Sequence, residues 1–262
     1  MISDPRALFT SLFDAAVAAA DPRRTIRAFL PARPKGRTVV IGAGKGSAQM
    51  AAALEEAWDR PLAGVVVTRY GYAAPCRGIE VLEAAHPVPD AAGLAATKRL
   101  SSAVAGLTQD DLVIALISGG GSALLPAPPA GMSLEDEIAV NKALLASGAP
   151  IAAMNTIRKH LSAIKGGRLA AAAHPAKVVT LVVSDIPGDN PAFVASGPTV
   201  PDPAGRADAL RLVETYGIAL PQVAMRHLGS PAADAPKPDD PRFARDEVHV
   251  IASAALSLEA AA

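Results

Sequence analysis

Aromatic side chains are scarce in this chain. Phe, Tyr and Trp make up 3% of the 262 residues, although half of all residues are hydrophobic. The apolar share therefore rests on Ala, Val, Leu and Ile, the usual material of buried parallel strands under Ala-rich helices. Cysteine is almost missing: a single Cys76 rules out a disulfide framework and a thiolate metal cage and fits a reducing compartment. Neither sign of charge is in excess, with 25 basic against 25 acidic residues, whereas a chain whose main partner is nucleic acid carries a basic surplus. Long hydrophobic runs are lacking too. Stretches such as residues 178–183 have strand length and end in polar residues, short of the roughly 18 to 20 apolar residues that a membrane span needs. Residues 1–6 bring an acid and a proline where an export signal needs a basic stretch and then an apolar one. The expectation is a cytoplasmic protein with neither a nucleic acid nor a membrane as partner, built as one large domain or two small ones.

What the chain has is alternation. Asp4 stands where it would cap an opening helix, with Pro5 in the first turn and Leu8, Leu12, Ala15 and Ala19 at helical spacing. Apolar runs at 38–41, 63–68, 79–83, 112–117 and 178–183 read as strands. Residues 47–59, 91–107, 133–148 and 151–173 read as helices between them. Strands separated by helices of that length need crossovers, so the expected fold is α/β, a doubly wound, mainly parallel Rossmann-like sheet. Its ligand site is then expected beyond the carboxyl ends of the strands. Residues 229–246, rich in proline and aspartate, read as a linker. Residues 1–228 then form an N-terminal domain, and 247–262, a strand and an Ala-rich helix capped by Ser253, read as the first elements of a second one.

Four segments carry candidate chemistry. Val39-Val40-Ile41-Gly42-Ala43-Gly44-Lys45-Gly46-Ser47 runs from a strand through a glycine-rich turn into a helix, where backbone N–H groups and Lys45 suit an anion. Gly42, Gly44 and Ser47 have the spacing of a dinucleotide fingerprint, but the second strand ends Val67-Thr68-Arg69, with no acid for a ribose hydroxyl. An ordinary strand-to-helix turn explains the segment equally well. Ser118-Gly119-Gly120-Gly121-Ser122 follows a buried strand and would make a phosphate cradle of consecutive N–H groups and two hydroxyls. Farther on, Asn155, Arg158, Ser162 and Lys165 fall within roughly 80° of one helical face, opposite Ile157, Leu161 and Ile164. That face suits an anion or is a solvated basic surface, and His160, off the stripe, reads as packing. Ser184-Asp185-Ile186-Pro187-Gly188-Asp189 sets two aspartates four residues apart on a Pro-Gly turn. They could hold hydrated Mg²⁺, accept a hydroxyl proton, or cap the turn. His86-Pro87-Val88-Pro89-Asp90 reads as a substrate loop or a helix-capping turn.

Taken together, Gly42-Ala43-Gly44-Lys45, Val67-Thr68-Arg69-Tyr70-Gly71-Tyr72, His86-Pro87-Val88-Pro89-Asp90, the triple-glycine segment, residues 155–169, and 184–189 with Ser196-Gly197-Pro198-Thr199 resemble the class II glycerate 2-kinase family in content and order. The resemblance implies ATP- and Mg²⁺-dependent phosphorylation of D-glycerate at its 2-hydroxyl, in a cleft between an N-terminal α/β domain and a smaller, MOFRL-type C-terminal domain. Lys45 would neutralise the transferring phosphoryl group or anchor the substrate carboxylate. Gly44, Ser118, Gly119, Gly120, Gly121 and Ser122 would cradle nucleotide phosphates, and Arg158 and Lys165 would hold phosphate or carboxylate. Asp189, helped by Asp185, would bind Mg²⁺ or orient the hydroxyl. Family members continue past the position of Ala262, so parts of the site are expected from that second domain. Members of the family have often been labelled hydroxypyruvate reductases. An NAD(P)-dependent reductase is accordingly one alternative, with the Gly42 turn on pyrophosphate and Arg158 on the carboxylate, and a catalytically incompetent piece of the kinase is another.

Overall fold

The computed structural model describes residues 4–262. Residues 1–3, part of the stretch read as lacking an export signal, lie outside the described residues. The chain opens with α1 (Pro5–Ala19), where the Asp4 carboxylate accepts from the N–H groups of Arg6 and Ala7, and a short α2 (Pro22–Thr25). Then come β1 (Thr38–Ala43), α3 (Ser47–Ala57), β2 (Ala63–Arg69), β3 (Ile79–Ala84), α4 (Ala91–Ala103), β4 (Leu112–Ser118) and a single turn α5 (Gly121–Leu124). Three helices follow, α6 (Leu134–Ala146), α7 (Ile151–His160) and α8 (Arg168–Ala173), before β5 (Lys177–Val183). The chain finishes with α9 (Arg206–Thr215), α10 (Gln222–Leu228), β6 (Glu247–Ala252) and α11 (Ala254–Ala261). Among the described residues no helix is long and apolar enough to cross a membrane.

All six strands run parallel in the order β3-β2-β1-β4-β5-β6, the doubly wound α/β arrangement read from the sequence. Alternate residues face opposite layers, as the pleat requires. Val39, Ile41, Val113, Ala115 and Ile117 join one core, and Val40, Met50, Leu54, Ile114 and Leu116 join the other. A third cluster away from the sheet unites Val140 and Leu144 of α6 with Ile157 of α7 and Val213 of α9. The order reverses between β1 and β4, and that crevice is where such sheets hold ligands.

Two expectations from the sequence need correction. The stretch 151–173 is not continuous helix: α7 stops at His160, and Gly166 and Gly167 take positive φ values of 64° and 81°, which glycine adopts without penalty. Ser162 and Lys165 therefore leave the face that Asn155 and Arg158 share. Nor do residues 247–252 stand apart from the first domain, because β6 pairs with β5 along Val179–Val183 and belongs to the same sheet. The Ser184 N–H bonds to the Ala252 carbonyl at 2.9 Å, and Ile251 and Ala252 are buried. The proline-rich stretch before it is clamped by side chains rather than loose. Arg168 donates to the carbonyls of Ala233 and Asp234, and Lys237 to those of Pro203 and Ala204.

Candidate active site

The carboxyl ends of β1 to β5 gather most of the predicted side chains around the triple-glycine loop. The turn after β1 is fixed first. Gly44 N–H bonds to the Val67 carbonyl, Lys45 N–H to the Gly119 carbonyl at 2.9 Å, and Gly46 N–H to Ser118 Oγ at 2.9 Å. A Cβ on Gly44, whose φ is 134°, would stand 2.1 Å from Ser118 Oγ. The turn is thus stitched to β4, and the N–H groups that would grip a dinucleotide pyrophosphate are already bonded within the protein. Gly44 and the buried Ser118 belong to this stitching, which leaves their sequence-derived place on the nucleotide to their neighbours.

Gly119 and Gly120 form a floor under three side chains from other strand ends. A Cβ on Gly119 would lie 1.8 Å from Asp185 Oδ2, and one on Gly120 would lie 3.0 Å from both Lys45 Cε and His86 Nε2. Lys45 Nζ stands 3.9 Å from Asp185 Oδ2, with both side chains about half exposed. Gly120 takes the left-handed conformation at φ 84°, and a Cβ on Gly121 would run into Ala195. Among the described residues the N–H groups of Gly120 and Gly121 make no hydrogen bond to a backbone carbonyl, so this half of the loop keeps unpaired donors at the start of the α5 turn.

Arg69 and His86 complete the cluster. Arg69, at the end of β2, stacks its guanidinium 3.7 Å from the Tyr72 ring centroid, and its buried Nε has no hydrogen-bond partner among the described residues. Glu83 Oε1 pins the connecting loop by accepting from Gly71, Tyr72 and Ala73 N–H. Burial, then the charges of Lys45 and Arg69, hold the His86 imidazole below its ordinary pKa against the upward pull of Asp185. Asp90, at the far end of the His86 loop, caps α4 through Gly93 N–H and accepts from Tyr70 Oη at 2.7 Å. The end of that loop caps a helix, as the sequence allowed, and its start lies beside the glycine floor. Arg69 drew attention in the sequence only for not being an acid; the signal available was a cation ending the strand beside the glycine-rich turn.

The remaining candidates divide. Ser122 Oγ lies 2.8 Å from Ser196 Oγ, which reaches Asn155 Oδ1, and Asn155 Oδ1 accepts from Arg158. Half-buried Arg158 is held further by Asn141 and reaches the loop only through this relay. Lys165 departs from its predicted place altogether. It is 2% exposed, bonds to the Leu125 carbonyl at 2.7 Å and pairs with Glu137 at 3.1 Å. The break after α7 turns it inward, so it is a buried structural cation with no open path to phosphate. Lys159 beside it is likewise buried against Asp202, and His160 is buried with Nδ1 on the Thr156 carbonyl. Asp189 takes a left-handed φ of 49° on the Pro-Gly turn.

Among the described residues no three His, Cys, Asp or Glu side chains gather into a metal cage. Asp185 and Asp189 suit only an ion that keeps most of its oxygen ligands from water and phosphate, which is the habit of Mg²⁺.

Known proteins share this arrangement. A family model described as a domain of unknown function, DUF4147, matches residues 8–229. A protein of Agrobacterium vitis, provisionally named a hydroxypyruvate reductase, is 55% identical over 98% of this chain and 58% of its own length. The D-glycerate 2-kinase of Thermotoga maritima is 44% identical over 75% of this chain and 48% of its own. The crystal structure of glycerate kinase from Thermotoga maritima superposes with a TM-score of 0.86 at 37% identity, covering 97% of this chain and 60% of that one. The chain thus spans about half the length of the relatives it matches. Sequence and fold agree: this chain belongs to the DUF4147 family, among the glycerate 2-kinase sequences.

Proposed function

We propose that this protein transfers the terminal phosphoryl group of ATP to the 2-hydroxyl of D-glycerate, giving 2-phosphoglycerate. The observation that carries the reading is the convergence of Lys45, His86 and Asp185 on the glycine floor at the β1/β4 crevice, with the charge of Arg69 acting on His86 from the end of β2. Phosphoryl transfer asks a protein mainly to position two substrates and to neutralise charge. Gly120 and Gly121 offer N–H donors to phosphate oxygens, Lys45 meets the transferring group, and the Arg69 guanidinium, whose charge reaches His86, suits the glycerate carboxylate. Asp185 and Asp189 hold Mg²⁺, which when bound supplies further neutralisation of the phosphates. Arg158 sets the Ser122 side of the loop through Asn155 and Ser196.

The reductase name of the Agrobacterium vitis relative points to the second reading. The stitched β1 turn speaks against it, since a dinucleotide pyrophosphate needs those N–H groups. The two readings separate in one assay: ATP consumption with D-glycerate and Mg²⁺ supports the kinase, whereas NADH oxidation by hydroxypyruvate without ATP turnover refutes it. Lys45→Ala and Asp189→Ala are each expected to lower kcat/KM at least about 10²-fold, as each removes a charge from a site that works electrostatically. A variant with wild-type turnover and an unchanged circular dichroism spectrum removes that residue from the mechanism.

A further inference from the structure

We propose that His86 is a catalytic residue, the base that takes the proton of the hydroxyl being phosphorylated; the inference rests on the kinase reading above. Its Nε2 and Cδ2 lie 3.0 and 3.1 Å from the point where a Cβ on Gly120 would stand, and Lys45 Cε lies 3.0 Å from the same point. The imidazole edge therefore lies on the glycine floor beside the cation assigned to the transferring phosphoryl group. Gly120 at φ 84° gives up a side chain exactly where the ring needs room, and any other residue there would be strained and would push the ring or Lys45 away.

Three charged groups face the ring: Lys45 from the β1 turn, Arg69 from the end of β2 and Asp185 from the turn after β5. Burial comes first in holding the imidazole below its ordinary pKa, followed by the two cations. A neutral imidazole is a far stronger proton acceptor than an ordinary carboxylate. Asp185, the competing base, already faces Lys45 at 3.9 Å.

The step balances as follows. The hydroxyl oxygen forms its bond to the terminal phosphorus of ATP while the bond from that phosphorus to its bridging oxygen breaks. The hydroxyl proton passes to His86 Nε2, ADP leaves, and the imidazolium returns the proton to solvent. In a transition state as loose as that of phosphoryl transfer, a base contributes at the low end of its usual range.

The test is the pH profile of His86→Gln in this chain extended to the length of its relatives, with ATP, Mg²⁺ and D-glycerate, alongside histidine ring NMR of the wild type of the same length. The expected result is a kcat lowered about 10²-fold, a KM for D-glycerate within about 3-fold, and loss of the acid limb of the kcat profile. A merely structural histidine would change KM or stability and leave that limb in place. In the wild type the His86 ring signal is expected to titrate below its ordinary value, and in Lys45→Met to move upward. If wild type turns over ATP and His86→Gln retains both kcat and the acid limb, the inference fails while the kinase reading stands. If wild type consumes no ATP with D-glycerate, the kinase reading fails and takes this inference with it. Should the variant misfold, the wild-type ring titration still decides, since a His86 midpoint above neutral pH leaves the ring protonated and unable to act.

Discussion

Lys45 and Lys165 look alike in the sequence, and replacing each by Met separates a site cation from a structural one. Lys165 Nζ sits 3.1 Å from Glu137 Oε1, with side chains 2% and 7% exposed, and also bonds to the Leu125 carbonyl. Met fills a similar volume but leaves the Glu137 carboxylate with the Ala127 N–H, at 2.9 Å, as its remaining protein partner. Removing one member of a buried pair costs about 3–5 kcal/mol. With an m value near 3 kcal/mol/M, the urea midpoint should fall by about 1 to 1.7 M, and Tm by roughly 6–20 °C. Lys45 faces Asp185 at 3.9 Å with 44% and 51% of the two side chains exposed, so Lys45→Met should cost at most about 1 kcal/mol. Urea unfolding followed by circular dichroism reads both. Adding Glu137→Gln, which keeps an acceptor for Ala127, should restore at least half of the Lys165→Met loss. Equal midpoints for Lys165→Met and wild type would refute the buried-pair argument and return Lys165 to the list of phosphate ligands.

Other perturbations bear on the loop, the edge strand and pH. Gly44→Ala should destabilise by more than about 2 kcal/mol, because the new Cβ meets the Ser118 backbone and the φ of 134° is foreign to alanine. Gly119→Ala meets only the half-exposed Asp185 carboxylate and should cost activity with little loss in urea stability; the opposite ranking would overturn the floor model. Deleting residues 247–262 strips β5 of its β6 partner and of the buried Ile251 and Ala252, so it should cost more than about 3 kcal/mol in urea unfolding; a loss under 1 kcal/mol would show that β6 contributes little. Burial raises the Asp246 carboxyl from 3.8 to about 6, and its Oδ2 has no partner. Its folded pKa lies above the unfolded one, so its contribution is full below 3.8 and lost as pH rises through about 6. Asp246→Asn, which keeps an acceptor for the Val178 N–H, should therefore gain roughly 1–2 kcal/mol over wild type at pH 8, the full shift being reduced by solvent screening, a gap that closes toward pH 4. A constant gap in urea midpoints from pH 8 to 4 would refute that reasoning.

The fold was legible because its signals are local. A helix cap at Asp4, apolar runs of strand length and helices long enough for crossovers are each written within a dozen residues, and they recur at the expected places. The tail was misjudged because its order comes from distant partners. Proline and aspartate in residues 229–246 carry no apolar period, yet Arg168 and Lys237 tie that stretch to the body, and Phe243 packs on the core. Asp246 then sets the register of the last strand by accepting from Val178 N–H at 2.8 Å. Long-range hydrogen bonds of this kind leave no periodic trace.

The site was legible by residue type and misread by geometry. A helical wheel placed Lys165 beside Arg158, and the prediction failed because α7 ends at His160, with Leu161 leaving the helical conformation, five residues before Lys165. The triple glycine was read as a row of N–H donors. In the structure its first two members matter at least as much for the side chains they lack, since they leave space for Asp185, Lys45 and His86. Those three come from the ends of β5, β1 and β3, and only the β3-β2-β1-β4-β5-β6 order brings them to one loop at the end of β4. Gly120 makes room for a residue 34 positions before it and Gly119 for one 66 positions after it, and neither carries a local signature of that role. Sheet order is therefore the missing term: once β1 and β4 are neighbours, the chemistry of the crevice follows from whatever side chains end the adjacent strands.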